Sequence, residues 1–384
     1  MSGFSDLRLG FIPLTDCAPL AVAKVMGFFA EEGLEVALSR EASWATVRDK
    51  VSLGALDGAH MLAPMALAVT EAGEGEIIAP LALNQNGSAV TVSNALADAM
   101  RAADPASLEG PLVTAETLAG VVAARRARGE PPLTFAVVFP ASMHNYLLRY
   151  WLAQGGVDPD QDVRLVVIPP PRMVEQMRAG AVDGFCVGAP WNAVAEAEGV
   201  GRTLITASRF WPSGPDKVLG MAARFADARP DDLKACLQAV MRAAAWADAP
   251  ENHETLVELL ARPEWVGAAP DAIARALTAE IVFHRQGAGL PRVEHGLWLV
   301  SQMIRWGQVA PDIDPEALVR RVYRPDLYRA AALSLDPRLE SARSLDEAAQ
   351  PLEARLFDRR PFDPSAPLAY ASAFEIRRPQ GSPA

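Results

Sequence analysis

Cysteine, lysine and long apolar runs are all scarce in this chain of 384 residues, and each shortage removes a class of function. The three cysteines, Cys17, Cys186 and Cys236, form neither a Cys-x-x-Cys pair nor an even set. That excludes a thiolate metal site or a disulfide framework and fits a reducing compartment. No apolar run approaches the roughly 20 residues that a membrane-spanning helix needs. Lysine occurs only at Lys24, Lys50, Lys217 and Lys234, and the net charge is −11. A general basic surface for nucleic acid is therefore excluded, though a local positive pocket is not. Walker loops, Gly-x-Ser-x-Gly elbows and His-Glu-x-x-His pairs are absent too, so binding is expected rather than catalysis, with no cofactor and no metal. Met1 to Asp6 carries no basic residue and Leu7–Leu14 already reads as a strand. No secretory leader is expected on that reading, and the expected location is cytoplasmic.

What the chain does contain is a signature that occurs twice. Gly54-Ala55-Leu56-Asp57-Gly58 runs through four residues to Ala63-Pro64, and Gly180-Ala181-Val182-Asp183-Gly184 runs through four to Ala189-Pro190. Each copy reads as a helix, a Gly stop, an Asp-Gly turn, a short buried strand and a Pro in the first turn of a new helix. Two such units facing one another aim two helix N-termini at a single cleft, a geometry suited to a small anion. A plain α/β connection used twice is the alternative.

Half the residues are hydrophobic and 22% are charged, enough apolar material for two α/β lobes with separate cores. Strand and helix patterns alternate from Leu7 onward, predicting parallel βαβ units, and the chain turns mainly helical after about residue 222. Because the two signatures must lie in different lobes to face one cleft, the expected division is 1–92 with 213–384 in lobe I and 93–212 in lobe II. The crossings fall near Val92 and Trp211. Residues 335–384, rich in Pro, Arg and Asp, are expected to wrap the surface or to be partly mobile.

Several side chains are candidates for holding an anion. Trp44 follows Ser43, a plausible N-cap, and its indole N–H is a donor with no acceptor; the alternative is a packing aromatic between lobes. Asn84 to Ser88 form a polar loop at a strand end, with Gln85, Asn86, Gly87 and Ser88 as amide or hydroxyl donors, or as an ordinary turn. His144 and Asn145 sit between a strand end and a helix start, where α/β sheets place their ligands. Pro190 and Trp191 open the helix after the second signature. Lys217 enters a strand after Pro-Ser-Gly-Pro and is either a compact counter-charge or a solvated loop lysine. His60, His253, His284 and His295 lack ligand-like spacing and are expected to be structural.

These stretches together resemble the nitrate- and bicarbonate-binding proteins of the NrtA/CmpA type, in the type II periplasmic-binding-protein superfamily. The resemblance rests on Leu9-Gly10-Phe11-Ile12-Pro13-Leu14-Thr15-Asp16, Asn86-Gly87-Ser88-Ala89-Val90-Thr91, His144 through Ala153, Pro169 through Met173, and Phe185 through Asn192. It implies a two-lobe fold with a ligand cleft, and an anion held by a Trp, a polar side chain of the Asn-Gly loop, a His and a Lys. Those positions match Trp44, the loop around Ser88, His144 and Lys217. Transporters of the family commonly carry Gln after Asn-Gly, where this chain has Ser88, which leaves Gln85 or Asn86 as substitutes. Bicarbonate-binding relatives place an acidic residue at the Lys217 position and recruit calcium. A Lys without a carboxylate cluster implies a metal-free site for nitrate or nitrite.

The expected absence of a leader points further, to the cytoplasmic sensor branch of the NasS type, which partners an RNA-binding antiterminator of the NasT type. Two other readings stand beside it. One is the substrate-binding component of an ABC transporter. The other is an enzyme resembling the thiamine-pyrimidine synthases, which needs a pyridoxal-linked Lys and a Cys-rich motif, whereas Cys186 has no neighbouring cysteine.

Overall fold

The computed structural model describes residues 4–110, 112–279, 281–336 and 356–377. Ten strands divide between two five-stranded sheets. The first contains β1 (Ser5–Phe11), β2 (Leu34–Arg40), β3 (Gly58–Leu62), β4 (Ile77–Gln85) and β10 (Pro215–Ala222), in the order β2-β1-β3-β10-β4. The second contains β5 (Ser88–Ser93), β6 (Thr134–Val137), β7 (Arg164–Val167), β8 (Gly184–Gly188) and β9 (Gly201–Thr206), in the order β7-β6-β8-β5-β9. Both sheets are mixed rather than all-parallel. Three parallel strands stand on one side in each, and β10 or β5 runs antiparallel to its two neighbours. The two-lobe α/β architecture is as expected.

The duplicated signature has a structural reason at every fixed position. Gly54 ends the Trp44–Leu53 helix at φ 82°, and Gly180 follows the Met173–Arg178 helix at φ 70°, both conformations that side chains rarely adopt. Asp57 accepts from the backbone N–H of Arg8 at 2.8 Å, and Asp183 accepts from that of Thr134 at 2.7 Å. The same two aspartates donate their own N–H groups back to Arg8 and Thr134, locking each turn to the neighbouring parallel strand. Gly58 and Gly184 open β3 and β8 where a Cβ would lie 2.2 Å from Met221 Sδ and 2.5 Å from the Phe135 ring. Pro64 sits in the first turn of the Ala63–Glu71 helix, as expected. Pro190 differs: it follows a cis peptide and is the N-cap of the Trp191–Ala197 helix.

The chain changes sheets earlier than Val92. β5 pairs with β8 and β9, so the crossing is the two-residue step Asn86–Gly87, and both residues have positive φ. The expected five-residue loop shrinks accordingly, because Asn84 and Gln85 belong to β4 and Ser88 to β5. The return lies between Phe210 and Pro215, and the crossings touch where Asn86 N–H donates to Gly214 C=O at 3.0 Å.

The helical portion beyond residue 222 leans on both sheets rather than on one. Arg275 pairs with Glu196 at 2.6 Å, and Tyr146 donates to Gln308 at 2.5 Å. The segment 356–377 is part of this bridge. Phe357, Tyr370 and Phe374 pack on Tyr150, whose hydroxyl bonds Asp358 at 2.9 Å. Arg305 stacks its guanidinium 3.6 Å from the Phe374 ring centroid and donates to Ile376 C=O. This part of the tail lies along the surface, as expected, and is held there by its buried aromatic side chains Phe362, Tyr370 and Phe374. Residues 337–355 and 378–384 lie outside the described residues.

Candidate functional site

Two groups of buried polar side chains meet where the sheets face each other. From the first sheet come Asp16 (on the Thr15–Cys17 turn after β1), Trp44, His60 on β3, and Asp216 with Lys217 on β10. From the second come Ser88 at the start of β5 and His144 in the first turn of the Met143–Gln154 helix, with the backbone of Gly188 at the end of β8 beside them. That helix begins where expected because Ser142 caps it, accepting from Asn145 N–H at 3.1 Å.

Lys217 is fully buried and lies between two carboxylates, 2.9 Å from Asp16 Oδ2 and 2.8 Å from Asp216 Oδ1. Its Nζ also stands 5.8 Å from the Trp44 ring centroid. The expectation of a lysine without a carboxylate cluster is thus corrected. Pairing of β10 with β4 is irregular between Pro215 and Val218, where the successive residues Asp216 and Lys217 meet. Ser88 donates to Asp216 Oδ2 at 3.0 Å, and Asn84 Oδ1 accepts from Lys217 N–H.

His60 is corrected as well, from structural bystander to part of the cluster. Its Nε2 lies 2.8 Å from Asp16 Oδ1, and its ring meets Trp44 edge-on at 5.3 Å. Its Nδ1 accepts a long bond, 3.4 Å, from Ile12 N–H, which assigns the proton to Nε2 and makes the ring neutral. His144 is fully buried, and neither of its ring nitrogens has a hydrogen-bond partner. Burial, and then the charge of Lys217, hold its pKa well below the usual value, so it is neutral with one N–H to offer. A Cβ placed on Gly188 would lie 3.4 Å from both His144 Nε2 and Asp16 Oδ2. Gly188 therefore marks the point where the halves converge.

The other expected residues divide. Trp44 Nε1, Gln85 Oε1 and Asn86 Oδ1 are buried without partners, as is Trp191 Nε1 on the half-buried Trp191. Gly87 serves the backbone, its C=O accepting from Ala189 N–H at 2.7 Å beside the Pro190 turn. Asn145 is not brought into the cluster: its Nδ2 donates to Pro140 C=O at 2.8 Å and its Oδ1 accepts from Arg149. Asp16, Asp216, His60 and Gly188 were missed. Buried carboxylates at an anion site run against the search for donors; Asp16, His60 and Gly188 lay within stretches already singled out, and Asp216 did not.

The two carboxylates respond oppositely to the same surroundings. Burial opposes ionisation of Asp16, but the charge of Lys217 and the hydrogen bonds from His60 and Lys217 outweigh it and hold the carboxyl well below its usual range. For Asp216, burial and the nearby Asp16 prevail over Lys217, and its value rises. Lys217 is raised because the two aspartates overcome its own burial. A depressed folded value contributes stability above the unfolded carboxyl value of about 4 and loses it as the pH falls. A raised value makes ionisation at neutral pH a cost, relieved on acidification. Asp16→Asn should therefore lower the melting temperature at pH 7 and flatten its fall toward acid, whereas Asp216→Asn should not lower it. Thermal denaturation from about pH 3 to 8 checks the pair.

Among the described residues, no three His, Cys, Asp or Glu side chains gather as a metal site. A sequence model of the NMT1-like family matches residues 3–261. The chain is 32% identical to the nitrate/nitrite binding protein NrtA of Nostoc sp. (strain PCC 7120), over 97% of this chain and 86% of that protein. It is 36% identical to the nitrate import ATP-binding protein NrtC of Synechocystis sp., covering 97% of this chain but only 56% of the relative. The chain thus spans about half the length of that curated relative. The crystal structure of the periplasmic nitrate-binding protein NrtA from Synechocystis PCC 6803 superposes with a TM-score of 0.88 at 32% identity, covering 97% of this chain and 99% of the other.

Proposed function

This chain belongs to the NMT1-like family and, within it, to the NrtA-type nitrate/nitrite-binding proteins, and from that premise we propose that its buried cluster binds nitrate or nitrite. The observation that carries the reading is His144, a buried neutral imidazole with no partner, brought against the Lys217 cluster from the opposite sheet. Lys217 supplies positive charge, His144 and Trp44 supply N–H donors, and the indole face limits the ligand's size. The donors of the cluster converge on one point, which supports a binding protein. Calorimetric titration with nitrate, nitrite, bicarbonate with calcium, and an alkanesulfonate tests the assignment. Saturable binding of nitrate or nitrite with 1:1 stoichiometry is the expected result, and binding of bicarbonate alone would overturn it. Gly188→Ala should fold normally and weaken the anion by more than about tenfold, because its methyl takes up space at the meeting point of His144 and Asp16. Unaltered affinity in that variant would move the ligand elsewhere.

The same reading extends to role. The chain acts as a cytoplasmic sensor that holds an RNA-binding antiterminator of the NasT type in its apo form and releases it when the lobes close on the anion. Three buried free thiols support a reducing compartment, and the net charge of −11 leaves RNA binding to the partner. The names of the relatives favour a second role, as the anion-binding component of an importer. Size-exclusion chromatography of the co-expressed pair separates the two. A complex that dissociates with millimolar nitrate or nitrite supports the sensor, and no complex in the absence of both restores the importer.

A further inference from the structure

The charges around Lys217 do not balance for an added anion. Asp16, Asp216 and Lys217 are all buried and all belong to the first sheet's half of the site, so they stay together whether or not the second sheet is closed upon them. His60 is neutral by its acceptor bond from Ile12, and His144 is neutral by burial. The Cys186 thiol, facing Asp216 from β8, is pushed above its ordinary range by burial and then by that carboxylate, so it carries no charge. Ser88 on β5 offers a hydroxyl only. With both carboxylates ionised the cluster carries one net negative charge, and a monoanion would double it inside a desolvated space.

We infer that the anion enters this site together with one proton, and that Asp216 is the group that takes it. This rests on the reading of the cluster as a nitrate or nitrite site. Protonation of Asp216 leaves the Lys217–Asp16 pair, which is neutral, and releases one face of the Lys217 ammonium from Asp216 Oδ1 to the anion. Asp216 is the better acceptor of the two because Asp16 is held by both Lys217 and His60, whereas Asp216 has Lys217 and a neutral hydroxyl. The proton comes from solvent, so anion affinity and pH are linked: each proton bound with the anion makes affinity fall about tenfold per pH unit wherever Asp216 is ionised in the free protein.

The test is calorimetric titration of the full chain with sodium nitrate and sodium nitrite, from about pH 6 to 8.5. Each point is repeated in phosphate and in Tris, whose heats of ionisation differ, so that the buffer dependence counts protons directly. Uptake of about one proton per anion is expected, with affinity declining as the pH rises. Asp216→Asn should bind with a proton count near zero and with affinity flat across the range, a change that a merely structural role would not produce. Anion binding by the unaltered protein without proton uptake would overturn the inference while leaving the site assignment standing. Full uptake retained in Asp216→Asn would also overturn it. If neither anion binds at any pH, the site assignment itself fails, and if the variant does not fold, the wild-type proton count decides alone.

Discussion

Lys217→Ala should abolish detectable anion binding and lower the unfolding free energy by about 3–5 kcal/mol, because it leaves Asp16 and Asp216 facing each other in a buried space with no cation between them. The binding loss alone should be on the order of 2–5 kcal/mol, the usual penalty for removing one member of a desolvated charge pair. Lys217→Met keeps most of the volume and should lose binding equally, separating charge from packing. Adding Asp16→Asn and Asp216→Asn to Lys217→Met should restore much of the stability and none of the binding. Urea denaturation and nitrate calorimetry read both quantities. An alanine variant that binds nitrate as tightly as the parent would remove Lys217 from the site.

Trp298→Ala should cost about 3–5 kcal/mol, as large-to-small changes at fully buried aromatics do. The residue lies in the Val293–Arg305 helix and touches Trp211 at 4.9 Å and Tyr150 at 6.4 Å between ring centroids. Trp211 stands at the return crossing and Tyr150 on the second sheet's helix, so one side chain joins three parts of the molecule. The variant should unfold at lower denaturant concentration, with intrinsic fluorescence and far-ultraviolet circular dichroism no longer coincident. Coincident transitions with unchanged midpoint would show that the segment 356–377 carries the junction without it.

Much of this architecture is readable from local chemistry. Gly54 and Gly180 end helices, Asp57 and Asp183 lock turns, and Ser43 and Ser142 cap helices; each effect acts within a few residues or on an adjacent strand. Trp44, His144 and Lys217 were legible as candidates because they sit at element ends in a two-lobe pattern. The carboxylates were not. Asp16 and Lys217 are 201 positions apart, and a regular strand would turn Asp216 and Lys217 to opposite faces. The pairing of β10 with β4 is irregular at these two residues. Asn145 misled for the converse reason, since its position suits a ligand but the Pro140 turn and Arg149 already occupy its amide. In the tail, Pro and Arg obscured aromatics that matter one at a time, without a period.

The adjacency of the two crossings has a mechanical consequence. Asn86 and Gly214 touch at the place where both strands change sheets, and Ser88 and Asp216 follow within two residues on either side. Groups so near a pivot travel little when the sheets swing, so the Ser88–Asp216–Lys217 end of the cluster acts as a fixed post. His144 and Trp191 lie on other elements of the second sheet, away from either crossing. If the proposed anion binds here, its charge partner Lys217 sits beside the crossings and its donor His144 away from them.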